Sequence, residues 1–95
     1  MNNIVTEIEN YLTKFGGNYK DWYCGIALNP SQRLFSDHNV NEKGDAWIYR
    51  DCGTVLSARE IEKYFLNKGC NGDEGGGDWL TKYVYAYKIS SHSKE

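Results

Sequence analysis

The segment of this chain best equipped for chemistry runs from residue 23 to residue 38. Within it, Arg33 and His38 follow an apolar stretch that ends at Asn29 and Pro30. An arginine fork pairs with phosphate oxygens and offsets the negative charge that develops on a reacting phosphate. A histidine gives or takes a proton near neutral pH. This pair of side chains therefore favours phosphate chemistry with acid–base assistance.

Each candidate residue also has an ordinary structural explanation. Arg33 and Asp37 stand at i and i+4, where an exposed ion pair stabilises a helix by about 0.3–0.5 kcal/mol. His38 near a helix end can interact with the helix dipole. Tyr23 can be an aromatic residue of the core, and Glu62 can be a solvated helix residue paired with a lysine. These alternatives stay open at the level of the sequence.

Hydrophobic periodicity predicts the elements that position these residues. Apolar residues at helical spacing predict a helix over 3–15, which two glycines end. A continuous apolar run predicts a strand over 22–28 that is buried on both faces. Asn29 followed by Pro30 is typical of a helix start, and this helix is expected to reach about His38.

The second half of the chain continues the alternation of strands and helices. Residues 46–52 alternate as a strand does, and Ser57 with Glu60 forms the pattern of a capping box. The helix that begins there is expected to end at Gly69, and residues 82–89 form a third strand with several tyrosines on one face.

This order, α-β-α-β-α-β, predicts one small α/β (α+β) domain over residues 1–95. We expect a three-stranded, mainly antiparallel sheet with about three helices. The ends, residues 1–2 and 90–95, are polar and are expected to fray. The glycine-rich stretch 69–78 is expected to be a flexible connection, which can border the site as a lid.

The strand Tyr23-Cys24-Gly25, followed by a helix with Arg33-Leu34 and then His38, resembles the second half of the GIY-YIG nuclease signature. In that family a YIG strand leads into a helix that carries an Arg-Leu pair and often a histidine. The resemblance extends over about residues 22–71 and implies a GIY-YIG-like fold.

The family continues with a strand and a helix that carries a metal-binding glutamate one turn after a small residue. Here Glu62 lies one turn after Ala58. At about 100° per residue Glu62 flanks the apolar stripe of this helix, whereas Glu60 points roughly the opposite way and belongs to the predicted cap. The resemblance therefore implies Glu62 as the metal ligand. Asn67 and Asn71 are both candidates for an asparagine that often follows this helix.

The family's opening GIY strand has no counterpart before Tyr23 in this chain. The tyrosine-rich strand 82–89 can take its place beside Tyr23, which would make the sheet a circular permutation of the family's. Tyr85, or its same-face neighbours Tyr83 and Tyr87, would then supply the missing tyrosine.

The resemblance implies a metal-dependent endonuclease that hydrolyses nucleic-acid phosphodiesters. Its catalytic residues would be Tyr23, Arg33, His38 and Tyr85, with the tyrosine pair as general base, and Mg²⁺ would bind Glu62. Magnesium takes oxygen ligands and completes its octahedron with water. Nearby cations would have to lower the tyrosine pKa, which is ordinarily about 10.

The charge balance limits the partners. The chain has eleven lysines and arginines and thirteen acidic residues, so its net charge is −2. This balance excludes a strongly basic surface that would bind nucleic acid along its whole extent. Nucleic-acid binding is therefore expected to be weak and confined to a local site around Arg33. No apolar run is long enough to span a membrane. The start of the chain does not have the pattern of a signal peptide.

The chain has an odd number of cysteines, Cys24, Cys52 and Cys70, so they cannot all be paired in disulfides within the chain. They favour free thiols in a reducing cytoplasm over a disulfide framework. A zinc site would need all three thiols together with His38 or His92, and no ligand spacing supports one.

A second class of function remains open. The chain can be a catalytically lapsed module that binds a nucleotide or a protein. Its pocket would be lined by aromatic residues and one arginine, which suit base stacking and phosphate contact: Tyr23, Arg33, Trp47, Tyr49 and Tyr85. An acidic interaction protein of the phage or mobile-element type is also compatible with the size and charge.

Overall fold

The computed structural model describes residues 2–72 and 79–95. Its helices and strands follow the predicted α-β-α-β-α-β order: α1 (Asn2–Lys14), β1 (Trp22–Ala27), a short π-helix (Gln32–Asp37), β2 (Trp47–Asp51), α2 (Val55–Lys68) and β3 (Tyr83–Lys88), with a single 3₁₀ turn (Tyr19–Asp21) before β1. The small α+β fold class with three strands and three helices is therefore confirmed.

The last strand occupies the centre of the sheet. The strand order is β1-β3-β2, and both pairings are antiparallel. Tyr23 lies opposite Tyr87, and Gly25 lies opposite Tyr85. On the other side Tyr49 lies opposite Tyr85. The tyrosine-rich strand is thus beside Tyr23, as the sequence predicts.

The two faces of the sheet are covered differently. Side chains alternate along each strand, so the tyrosines of β3 share one face while Val84 and Ala86 share the other. The second face packs against α1 and α2 in a core of ten buried residues: Ile8, Leu12, Trp22, Cys24, Ile48, Ile61, Phe65, Cys70, Val84 and Ala86. We call this side the helix face and the other the tyrosine face.

The tyrosine face has a smaller core, which the π-helix and the segment after it cover. Leu34 is fully buried and fixes the π-helix on the sheet. Burying a leucine side chain contributes about 1.5–3 kcal/mol, so one such anchor can hold a six-residue helix. The remaining members are Tyr23, Ala27, Val40, Tyr85 and Tyr87.

The N-terminus of α2 differs from the prediction. Thr54, not Ser57, is the N-cap residue, and the Thr54 side chain accepts a hydrogen bond from the Ser57 amide. The extended backbone of Thr54 places its hydroxyl over the first turn. Ser57 lies three residues further on, inside the helix, so the predicted capping box at Ser57 and Glu60 is wrong.

The chain after α2 returns along the outer edge of β1. Asn71 accepts from the Cys24 amide at 2.9 Å and donates its own amide to the Trp22 carbonyl at 2.8 Å. Its side-chain amide donates to the Lys20 carbonyl at 2.8 Å, so Asn71 has a structural task at this edge. Residues 73–78, where most of the predicted flexible connection lies, are outside the described residues.

The C-terminal tail is hydrogen-bonded to the body of the protein. The Lys94 amide donates to the His38 carbonyl at 2.7 Å, and the Asn39 side chain donates to the His92 carbonyl at 2.9 Å. Main-chain groups of the tail therefore find partners that the sequence pattern does not reveal, and the fraying expected of residues 90–95 stays a prediction.

The three cysteines are free thiols, as predicted. Burial raises the pKa of Cys70 to about 12, which makes its thiol unreactive. Within the ranges 2–72 and 79–95, no group of three or more His, Cys, Asp or Glu residues could hold a metal ion. No helix in the same ranges is long and apolar enough to cross a bilayer.

Candidate functional site

Four of the five predicted site residues meet on the tyrosine face. Tyr85 lies at the middle of the central strand, and its ring passes over Gly25 of β1. A Cβ atom at Gly25 would lie 2.6 Å from the Tyr85 hydroxyl, so only glycine leaves room for this ring. Tyr23 stacks beside it, with ring centroids 6.3 Å from Tyr85 and 5.3 Å from Tyr87.

His38 follows the π-helix and completes the group. Its side chain is buried, and its Nε2 atom lies 2.7 Å from the Tyr85 hydroxyl oxygen. Its Nδ1 atom lies 2.6 Å from the Lys94 carbonyl oxygen and 3.1 Å from the Tyr87 hydroxyl. His38 therefore makes more contacts than a role at the helix end, the structural alternative given by the sequence, would require.

These contacts assign the tautomer of His38. A carbonyl oxygen can only accept a hydrogen bond, so Nδ1 carries a proton and donates it to Lys94. In the neutral ring Nε2 is then an acceptor, and the Tyr85 hydroxyl donates to it. The Tyr87 hydroxyl donates to the same Lys94 carbonyl at 3.3 Å. The chain of bonds runs from Tyr85 through His38 to Lys94.

Burial determines the protonation states of His38 and Tyr85. Desolvation lowers the pKa of His38 below 6.5, and the Arg33 charge acts in the same direction against the opposing Lys94 carbonyl. Desolvation raises the pKa of Tyr85 to about 12, although Arg33 favours the ionised phenol. Near neutral pH the imidazole and the phenol are therefore both uncharged.

Arg33 is the part of the group that faces solvent. Its side chain is 46% exposed and lies 3.4 Å from Asp37, as the i, i+4 spacing predicts. The guanidinium also interacts with the Tyr85 phenol, and this interaction raises the pKa of Arg33. An exposed ion pair is worth about 0–1 kcal/mol. Arg33 can therefore exchange Asp37 for a phosphate at little cost.

Glu62 lies in the other layer of the molecule. It is 1% exposed within α2, whose buried residues pack on the helix face. Burial, followed by the charges of Cys70 and Glu62, raises the pKa of the Cys24 thiol, so Glu62 is near Cys24. Cys24 and Tyr23 are adjacent on β1 and point to opposite faces. The structure thus brings Tyr23, Arg33, His38 and Tyr85 together and places Glu62 apart from them.

Among the described residues around the tyrosines, there is no group of three or more His, Cys, Asp or Glu side chains that could hold a metal ion. The carboxylate nearest Arg33 in sequence is Asp37, which is already bonded to Arg33. Magnesium needs oxygen ligands in an octahedral arrangement, commonly with one or two carboxylates. The acidic residues of the glycine-rich stretch, Asp73, Glu74 and Asp78, lie outside the described residues.

A shallow groove of about 420 Å³ borders this group. Tyr49 and Tyr83 form one wall, with ring centroids 6.1 Å apart in an edge-on arrangement. Tyr49 lies opposite Tyr85 in the strand register. The other wall is the turn between β1 and the π-helix: Leu28, Asn29, Pro30 and Ser31. This groove gives a flat ligand aromatic contacts with Tyr49 and Tyr83.

Of the remaining members of the group, Tyr87 was named from the sequence only as an alternative to Tyr85, and Lys94 was not named. Tyr87 shares the tyrosine face with Tyr85, and the alternation of β3 was the available signal. Lys94 contributes a main-chain carbonyl, which has no sequence signature. Trp47, predicted to line the pocket, instead packs edge-on against Phe35 and stacks with Tyr49.

A scan against protein-family models finds no match to this chain, and searches of curated proteins and of solved structures find none either.

Proposed function

We propose that this protein hydrolyses nucleic-acid phosphodiesters as a small endonuclease. The observation that carries the proposal is the 2.7 Å hydrogen bond between His38 Nε2 and the Tyr85 hydroxyl, with Arg33 interacting with the same phenol. A proton acceptor, a relaying hydroxyl and a phosphate-binding cation are thereby adjacent, and Arg33 is the exposed member of the three. These are the groups that hydrolysis of a phosphodiester requires.

The proposed reaction starts at Arg33. A phosphodiester oxygen takes the place of Asp37 on the guanidinium, and the movement of Arg33 opens access to the Tyr85 hydroxyl. A water molecule held by Tyr85 attacks phosphorus. Its proton passes to the Tyr85 oxygen while the phenol proton passes to His38 Nε2. The new P–O bond forms as the bond to the leaving oxygen breaks, and that oxygen takes a proton from solvent.

The pKa difference within the pair determines how the proton moves. Burial raises the pKa of Tyr85 to about 12 and lowers the pKa of His38 from its usual 6.5, so at equilibrium the proton stays on the phenol. Tyr85 therefore keeps its proton in the resting protein. The phenol must give up this proton as it takes one from water, so His38 is the net base and Tyr85 the relay.

Magnesium is the cofactor that the resemblance implies, and its participation is a separate question from the steps proposed for Tyr85 and His38. Glu62 lies in the helix layer and does not fit a role beside Tyr85, so the proposed steps use the side chains of the tyrosine face. Cleavage measured with Mg²⁺, with Mn²⁺ and with EDTA decides whether a metal takes part.

The test is cleavage of supercoiled plasmid and of branched DNA by the wild type, Tyr85→Phe, Arg33→Ala and Glu62→Gln. Tyr64→Phe is the matched control, because Tyr64 donates to Glu9 in the helix layer. We expect Tyr85→Phe to slow cleavage by about 10²–10⁴-fold and Arg33→Ala by about 10²–10³-fold. The proposal fails if the wild type cleaves neither DNA under any of the three metal conditions, or if both variants cleave at the wild-type rate.

One observation favours a second function, a catalytically lapsed module that binds nucleotides. Tyr85 has no exposed surface and His38 is only 3% exposed, so Arg33 and the groove are what a ligand first meets. Binding of a labelled oligonucleotide that Arg33→Ala abolishes, without cleavage by the wild type, would establish this function in place of the first.

A further inference from the structure

The C-terminal tail is fastened across the tyrosine face at His38. The Lys94 amide donates to the His38 carbonyl at 2.7 Å, and the His38 ring donates back to the Lys94 carbonyl at 2.6 Å. Further along, the Asn39 side chain holds the His92 carbonyl, and the His92 ring contacts the Asp45 carboxylate. The tail is therefore held at two separate points, and the position of Lys94 is defined.

The reciprocal pair of bonds with Lys94 has a chemical consequence for His38. A neutral imidazole carries its proton on one of two nitrogens, and the partner of one nitrogen decides which. The Lys94 carbonyl retains the proton on Nδ1 and leaves the Nε2 lone pair directed at the Tyr85 hydroxyl. In the other tautomer Nε2 would carry a proton and could not accept the phenol proton.

We propose that Lys94 is a positioning residue, whose main-chain carbonyl holds His38 in the tautomer that accepts a proton from Tyr85. This inference rests on the proposed function for its role in catalysis. The Tyr87 hydroxyl supports the same carbonyl by donating to it at 3.3 Å. The Lys94 side chain has no part in the role, because both bonds to His38 are made by main-chain atoms.

The direct test is nitrogen NMR of the His38 ring, which reports the protonated nitrogen without any cleavage assay. The samples are the full chain, a chain ending at Ser93, Lys94→Pro and the matched control Lys94→Ala. We expect the Nδ1–H tautomer in the full chain and in Lys94→Ala. Loss of the carbonyl in the shortened chain is expected to raise the Nε2–H fraction. Lys94→Pro removes the amide that fastens the tail and is expected to act in the same direction.

Kinetics provide the second readout. In the shortened chain kcat is expected to fall by about 10²-fold, the contribution of a correctly protonated base, while KM changes little. Ser91→Ala, at an exposed position of the tail outside this group, is expected to retain the wild-type values.

The proposal is overturned if the full chain shows the Nε2–H tautomer, a result that needs no variant to fold. It is also overturned if a folded shortened chain keeps the Nδ1–H tautomer. A tautomer change in variants of a wild type that cleaves no DNA would support the positioning role and reject the nuclease function. The two failures are thus distinguishable.

Discussion

At the scale of single residues, the packing of Tyr85 with Tyr23 and His38 depends on the absence of a side chain at Gly25. Tyr85 can lie flat against β1 only because Gly25 is opposite it. The YCG order therefore has a geometric reason in this chain: Tyr23 stacks beside the ring and Gly25 lies beneath it. Glycine at this position allows the Tyr85 ring to lie over β1, where its hydroxyl bonds to His38.

Substitution of Gly25 tests this dependence. Alanine would bring its Cβ atom to 2.6 Å from the Tyr85 hydroxyl oxygen. We expect Gly25→Ala to reduce the free energy of unfolding by about 1–3 kcal/mol, as overpacking does, and to slow any cleavage. Gly44→Ala is the control, since its nearest neighbour is the end of the exposed Asn41 side chain. Urea denaturation that gives equal stability for both variants would contradict the close approach.

The protonation of His38 predicts a pH dependence of stability. Its pKa is lower in the folded protein than its usual 6.5, because burial and the Arg33 charge outweigh the Lys94 carbonyl and the Asp37 and Glu95 charges. The unfolded chain therefore binds more protons as the pH falls through about 6.5. Stability is complete above this pH and declines below it, by at most about 1.4 kcal/mol per pH unit for one proton.

Urea denaturation of the wild type and His38→Gln measures this effect. Between about pH 7 and pH 5 the wild type should lose stability more steeply than His38→Gln, which does not titrate. Parallel curves for the two proteins would show that His38 is not the group responsible.

At the scale of elements, patterns of side-chain burial were predictable and main-chain details were not. The alternation of β3 and the apolar stripe of α1 were predictable, because apolar residues repeat along the sequence with the period of a strand or of a helix. The π-helix Gln32–Asp37 was expected only as a helix, because the spacing of apolar residues over six positions does not distinguish a π-helix from an α-helix. The start of α2 was misplaced, since Thr54 and Ser57 are both good caps.

The cap of α2 can be tested by comparing these two residues. Thr54→Ala removes the oxygen that accepts from the Ser57 amide at 3.1 Å and should cost about 1 kcal/mol of stability. Ser57→Ala leaves this bond intact and should cost less. If thermal denaturation finds Ser57→Ala to be the more damaging change, the helix begins at Ser57.

At the scale of the whole molecule, the sheet separates Glu62 from the other four predicted site residues. The convergence of Tyr23 with Tyr85 was predictable from the expected pairing of the last strand with β1. Glu62 was expected at the margin of the buried face of α2, yet it lies within that face, on the helix side. Which side of the sheet a helix covers depends on the connections of the chain, which residue periodicity does not specify.

The overall charge predicts how the proposed nuclease would bind nucleic acid. With a net charge of −2, attraction depends on local contacts and not on a basic surface. If Arg33 makes one phosphate contact, the logarithm of the association constant should fall with the logarithm of salt concentration with a slope of about −1. Fluorescence anisotropy with a labelled duplex measures this slope. A slope of several units, or one that Arg33→Ala leaves unchanged, would place binding elsewhere.

The central claim is that Tyr85 relays a proton to His38 during phosphodiester hydrolysis. Its most direct test is the single-turnover cleavage rate of end-labelled DNA by the wild type, Tyr85→Phe and the Tyr64→Phe control. We predict that Tyr85→Phe, which removes only the hydroxyl bonded to His38, lowers the rate by about 10²–10⁴-fold, while Tyr64→Phe keeps the wild-type rate. Equal rates for Tyr85→Phe and the wild type would contradict the relay.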